Sequence, residues 1–95
     1  MRFEWDDNKN LSNCRKHGVI FEVAAQVFQD PNFLMMEDQE VDGEERWKTI
    51  GLSRSALLLI VVHTYRDEFG VETVRIISAR EVTAPERRRY EANAN

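Results

Sequence analysis

The segment Ala56–Tyr65, ALLLIVVHTY, constrains this chain more than any other part of it. Its unbroken apolar part, Ala56 to Val62, is far shorter than the roughly 20 residues a membrane-spanning helix needs. Its Val, Ile, Leu and Tyr content predicts a central strand. A central strand needs neighbours, and two stretches supply them. Arg46–Leu52 alternates, with Arg46, Lys48 and Ile50 on one side and Trp47, Thr49 and Gly51 on the other. Thr73–Ala79 is the second. The links, Ser53–Ser55 and Asp67–Gly70, are short, so adjacent pairs run antiparallel. Phe33–Met36 reads as a further short strand, and the acidic residues up to Gly43 as a turn. Phe3 and Trp5 flank Glu4 as a short edge strand.

Helices fill the rest. Asp6 or Asp7 can accept from the free N–H groups of a first helix that Gly18 ends. Lys16 and His17 lie in its last turn, where positive charge suits the dipole. Phe21, Ala24, Ala25 and Phe28 form the stripe of a second helix, stopped by Asp30-Pro31. Thr83-Ala84-Pro85-Glu86 opens the last one. Thr83 caps it, Pro85 sits in the first turn and Glu86 reaches back to the cap N–H. Ala92–Asn95 are expected to fray. The sum is a small α+β domain spanning 1–95. Its antiparallel sheet of three to four strands packs against two N-terminal helices and one C-terminal helix. The helices are expected on one sheet face, with the other partly open.

Charge is unevenly spread. The total is -4, which weighs against a nucleic-acid partner. Yet residues 21–45 hold eight acids and no Lys or Arg, while residues 46–95 are net +3. The stretch 36–45 reads as a solvated acidic loop. One cysteine, Cys14, excludes an internal disulfide and a cysteine-based zinc site. The opening MRFEWDD lacks a signal-peptide core, so a cytoplasmic chain with no membrane segment is expected.

No phosphate-binding glycine loop, paired-cysteine motif or HExxH is present. The spacing of the acids in 37–45 does not fit a calcium loop. His63 reads as a sheet-face or core residue. His17 is either a cation at a helix end or a proton donor and acceptor. Lys9, Asn13, Lys16 and His17 share one helix face by their spacing. Arg46, Arg75 and Arg80 lie in or at the ends of strands, and guanidinium groups bind phosphate through paired donors. Arg75 and Arg80 differ in parity, so regular alternation does not place them on one face. Arg87-Arg88-Arg89 reads as a solvated run. Tyr90 can stack on a base or pack.

Taken together, these segments resemble the BrnT family. FEWDDNKNLSNCRKHGVIFEVAAQVFQDP matches its first block and VETVRIISAREVTAPERRRY its second, with GEERWKTIGL and LLLIVVHTYR between them in order. The likeness covers about residues 3–90. It implies a RelE-like fold and a metal-independent endoribonuclease toxin, without cofactor, that halts translation. The implied partners are RNA and a BrnA-like antitoxin with a ribbon-helix-helix DNA-binding part, DNA being met only through the complex. By resemblance Lys9, Asn13, Lys16 and His17 match the first block, Arg46 the basic position after the GE turn, and Arg75, Ser78, Arg80, Glu86 and Tyr90 the second block. Their side-chain chemistry, combined with that match, leads to an expectation of catalytic roles for His17, Arg46, Arg75 and Arg80 and of substrate contacts for Lys9, Asn13, Lys16 and Tyr90. Glu81 departs from the basic residue expected after Arg80. A rival reading is a non-catalytic interaction module that docks a partner through 36–45 or through the arginine-bearing sheet.

Overall fold

A computed structural model describes residues 1–94. The elements are β1 (Arg2–Glu4), α1 (Asp7–His17), α2 (Phe21–Ala24), β2 (Leu34–Val41), β3 (Glu44–Leu52), β4 (Leu58–Glu68), β5 (Val71–Glu81) and α3 (Ala84–Ala94). The second helix is α-helical for one turn only and continues as a 3₁₀ segment, Ala25–Gln29, rather than running regularly to Phe28. Ala92–Ala94 stay helical instead of fraying, and Asn95 lies outside the described residues.

The sheet order is β1-β5-β4-β3-β2. The expected antiparallel meander is β2–β5. Strand β1 adds a fifth member in parallel to β5, pairing Phe3 with Val74, so the sheet is mixed. The acidic stretch is not a loop. Strand β2 runs on through Glu37, Asp38 and Glu40 and returns as β3 after Asp42-Gly43, both at positive φ (51° and 78°). Asp-Gly suits such a turn, because its twist matches that of the flanking strands. The acids are tolerated because β2 is the sheet edge, where charge hinders unwanted pairing.

Asp6 caps α1 by accepting from the Lys9 N–H at 3.0 Å, and Gly18 ends it at φ 72°. One sheet face is closed by Phe21, Ala24 and Val27, packed on Leu59, Val61, Val74, Ile76 and Ala79. Burying each large apolar side chain contributes about 1.5–3 kcal/mol. Gly51 lets Val27 approach this face, since a Cβ there would meet the Val27 carbonyl oxygen at 2.9 Å. Helix α3 does not join the others. Tyr90, its buried residue, sits on Ile50, Leu58 and Ile60 of the opposite face. That face is covered by α3 at one end, and partly exposed side chains occupy the remainder. No helix among the described residues is long and apolar enough to cross a membrane.

Candidate functional site

A single extra residue assembles the basic face. Arg75 and Arg80 are five apart, which places them on opposite faces of a regular strand. In β5, however, Ser78 opposes Val62 while Ile76 opposes His63, so Ile77 is unpaired. This bulge re-aims the strand beyond it. Residues paired across strands share a face. Arg80 lies in a row with Ile60 and Ile50, Ser78 with Val62 and Lys48, and Arg75 with Thr64. Arg46 alternates in phase with Lys48. Arg46, Lys48, Arg75 and Arg80 therefore converge on the face that α3 partly covers.

Three of these cations hold carboxylates of the chain. The Arg80 guanidinium donates to both Glu86 oxygens, at 2.8 and 3.0 Å. Glu86 also closes the capping box, accepting from the Thr83 N–H at 2.8 Å while Thr83 Oγ1 accepts from the Glu86 N–H at 3.4 Å. The Arg80 hydrogen bond outweighs burial and holds the Glu86 carboxyl at about 2. Arg75 donates to Glu44 of β3, and Lys48 pairs with Asp38 at 3.2 Å. Arg46 is different: its Nε is buried with no hydrogen-bond partner. An orphaned buried donor of this kind is costly unless an acceptor arrives.

The first-helix set lies beside this face. Lys9, Ser12, Asn13, Lys16 and His17 line a cleft of about 250 Å³ between α1 and the bulge residues Ile77 and Ser78. Ser78 is common to both places: it borders the cleft and belongs to the row of Val62 and Lys48.

Two residues expected to contact substrate are engaged inside the fold. Asn13 is 6% exposed and its amide is consumed by the backbone. It accepts from the Ala79 N–H at 3.1 Å and donates to the Ala79 and Val19 carbonyls at 2.8 and 2.9 Å. Strand β1 pairs only with Thr73–Arg75, so Asn13 acts as the missing neighbour of β5 at Ala79. Tyr90 is 7% exposed and donates its hydroxyl to Asp30, leaving no free ring face to stack on a base. His63 is a core residue. Thr64 O accepts from Nδ1 at 2.9 Å, so Nε2 accepts from Thr49 Oγ1 at 2.7 Å, and burial keeps the ring neutral by lowering its pKa.

Sequence reasoning gave no site role to Lys48, Glu44 or Arg89, and Glu86 entered only as a match to the second block. Lys48 was legible, because it shares parity with Arg46. Arg89 lies three residues after Glu86 and so shares its helix face. Both border a groove of about 170 Å³ under α3, together with Met36, Ile50 and Ile60. Among the described residues no group of three His, Cys, Asp or Glu side chains is placed to hold a metal ion.

Comparison with known proteins gives the family and the fold. Residues 5–86 match the family model described as "Ribonuclease toxin, BrnT, of type II toxin-antitoxin system". No curated protein matches the chain. The crystal structure of the Brucella abortus ribonuclease toxin BrnT is similar in fold, with a TM-score of 0.63 and 22% identity. The likeness covers 87% of this chain and 97% of that one. With the family model spanning most of its length, this chain belongs to the BrnT family of type II toxin–antitoxin ribonuclease toxins.

Proposed function

We propose that this chain is a metal-independent endoribonuclease toxin that halts translation in the cytoplasm. In this reading it is one domain, neutralised by a BrnA-like antitoxin whose ribbon-helix-helix part carries the complex to DNA. The observation that carries the proposal is the β5 bulge, which puts Arg75 and Arg80 on one face with Arg46 and Lys48.

RNA brings its own nucleophile, the 2′-hydroxyl. A base takes that proton, the 2′ oxygen bonds to the adjacent phosphorus, and the bond from phosphorus to the 5′ oxygen breaks. The leaving oxygen takes up a proton. The products are a 2′,3′-cyclic phosphate and a 5′-hydroxyl. Arg46 adds a further guanidinium to the same face, able to bind phosphate through paired donors. Arg75, once a phosphate oxygen replaces Glu44, and Arg80, through the guanidinium N–H groups not bonded to Glu86, stabilise the added negative charge. His17, or Lys16 as the weaker choice, handles a proton across Ser78. Lys9 and Lys16 hold the neighbouring backbone.

The test is cleavage of RNA by purified, antitoxin-free protein in EDTA. Cyclic-phosphate ends are expected. Replacing His17, Arg75 and Arg80 together with Gln is expected to slow cleavage by at least about 100-fold. Undiminished cleavage by that variant refutes the assignment. Intact RNA, with a partner still bound through the sheet, points instead to a non-catalytic module.

A further inference from the structure

We infer that the groove under α3 is a nucleobase subsite for an amino-bearing base of single-stranded RNA. The inference rests on the ribonuclease reading and adds a recognition element to it. Contacts to phosphate position a strand but carry no sequence information, which is read from base edges and faces. The arginines of the open face can supply the first kind of contact. The groove supplies the second.

Its composition fits a base. Met36, Ile50 and Ile60 form an apolar floor from three adjacent strands, suited to the flat face of a heterocycle. Lys48 and Arg89 stand at its rim as cations for the flanking phosphates. The Arg89 side is open, because that residue is exposed. The groove is also in register with the reaction centre. Ile50 and Ile60 share a row with Arg80, and Arg75 lies two same-face rows along, roughly 13 Å at about 3.3 Å per residue. A strand lying along the face thus meets floor and arginines in turn.

Two carboxylates, Glu37 and Glu86, line the groove and favour a donor-bearing base. Glu86 Oε1 already accepts from Arg80 and from the Thr83 N–H, whereas Oε2 accepts from Arg80 alone among the described residues. A carboxylate offers about four acceptor positions, so Oε2 keeps one unoccupied, and Glu86 lines the groove. An exocyclic amino group donates there. Adenine, cytosine and guanine each carry one. Uracil has no exocyclic amino group, and its N3–H lies between two carbonyl oxygens that meet the carboxylate as like partial charges.

The test uses the intact protein and uncleavable 2′-O-methyl tetranucleotides of adenosine, cytidine and uridine, titrated by calorimetry. The adenosine and cytidine probes are expected to bind about tenfold tighter than the uridine probe. Met36→Trp, which fills the groove, is expected to abolish that difference. Arg89→Gln leaves a solvent-exposed helix position and is expected to weaken all three probes about equally. Equal binding of the three probes by the native protein overturns the proposal, as does binding of none. Preference for adenosine alone also overturns it, since that is stacking without amino recognition. A difference that survives Met36→Trp, with the variant folded by circular dichroism, overturns it as well. If the preference is seen but RNA is not cleaved, the ribonuclease reading fails and the subsite stands.

Discussion

The Tyr90 hydroxyl donates to Asp30 Oδ2 at 2.6 Å, tying the last helix to the turn that follows the 3₁₀ segment. Asp30 also accepts from the Leu52 N–H at 2.9 Å and the Asn32 N–H at 2.8 Å. Burial raises the Asp30 pKa, and the three hydrogen bonds outweigh it, so the net shift is downward. Burial, then the Asp30 bond and its charge, push the Tyr90 phenol up to about 12. Two pH limbs follow. The carboxyl contribution is present above the unfolded value near 3.9 and is lost as pH falls through the lowered folded value. The phenol contribution is complete below about pH 10 and is lost as pH rises through about 12. Tyr90→Phe is expected to cost about 1–3 kcal/mol at pH 7 and to remove the alkaline limb, as read by urea unfolding across pH.

Asn13→Ala is expected to destabilise the fold rather than to weaken substrate binding. It strands the Ala79 N–H and carbonyl at a buried edge. The expected cost is about 2–4 kcal/mol, from more than one unsatisfied group. A lowered unfolding midpoint, with unchanged KM for RNA in the folded fraction, is the expected pair of results. An unchanged midpoint with a raised KM returns Asn13 to the substrate.

Gly51→Ala tests the close approach of the 3₁₀ segment to β3. The added methyl carbon meets Val27 backbone oxygen at 2.9 Å and Val27 Cβ at 3.0 Å, so main chain has to shift. A loss of about 1–3 kcal/mol is expected by chemical denaturation.

The β4–β5 turn offers a gain instead. Phe69 stands at φ 54° and is fully exposed, so it carries the left-handed penalty without burial to offset it. Asn adopts that conformation readily before a glycine such as Gly70. Phe69→Asn is expected to stabilise the protein by about 0.5–1 kcal/mol, seen as a higher melting temperature.

What the sequence made legible was local. The Thr83–Glu86 capping box, the Gly18 stop and the central strand all rest on contacts within a few residues. Distant contacts were not legible. Tyr90 meets Asp30 across 60 positions, and Asn13 meets Ala79 across 66. Neither pairing is written locally, because the partners come from other elements. The acidic stretch looked like a turn because Asp and Glu disfavour strands, yet an edge strand accepts them. The convergence of Arg75 and Arg80 was hidden for another reason: strict alternation separates them, and a bulge is not written in any one residue type.

The first strand has a temporal consequence. Among the described residues its neighbour in the sheet is β5 alone, with Arg2 beside Thr73 and Glu4 beside Arg75. A nascent chain emerging from the ribosome must therefore carry its opening residues unpaired until the eighth decade of the sequence is outside the exit tunnel. The same strand, β5, brings Arg75 and Arg80. Pairings of such long separation are slow to close. The growing polypeptide thus lacks its full guanidinium cluster until translation has passed Arg80.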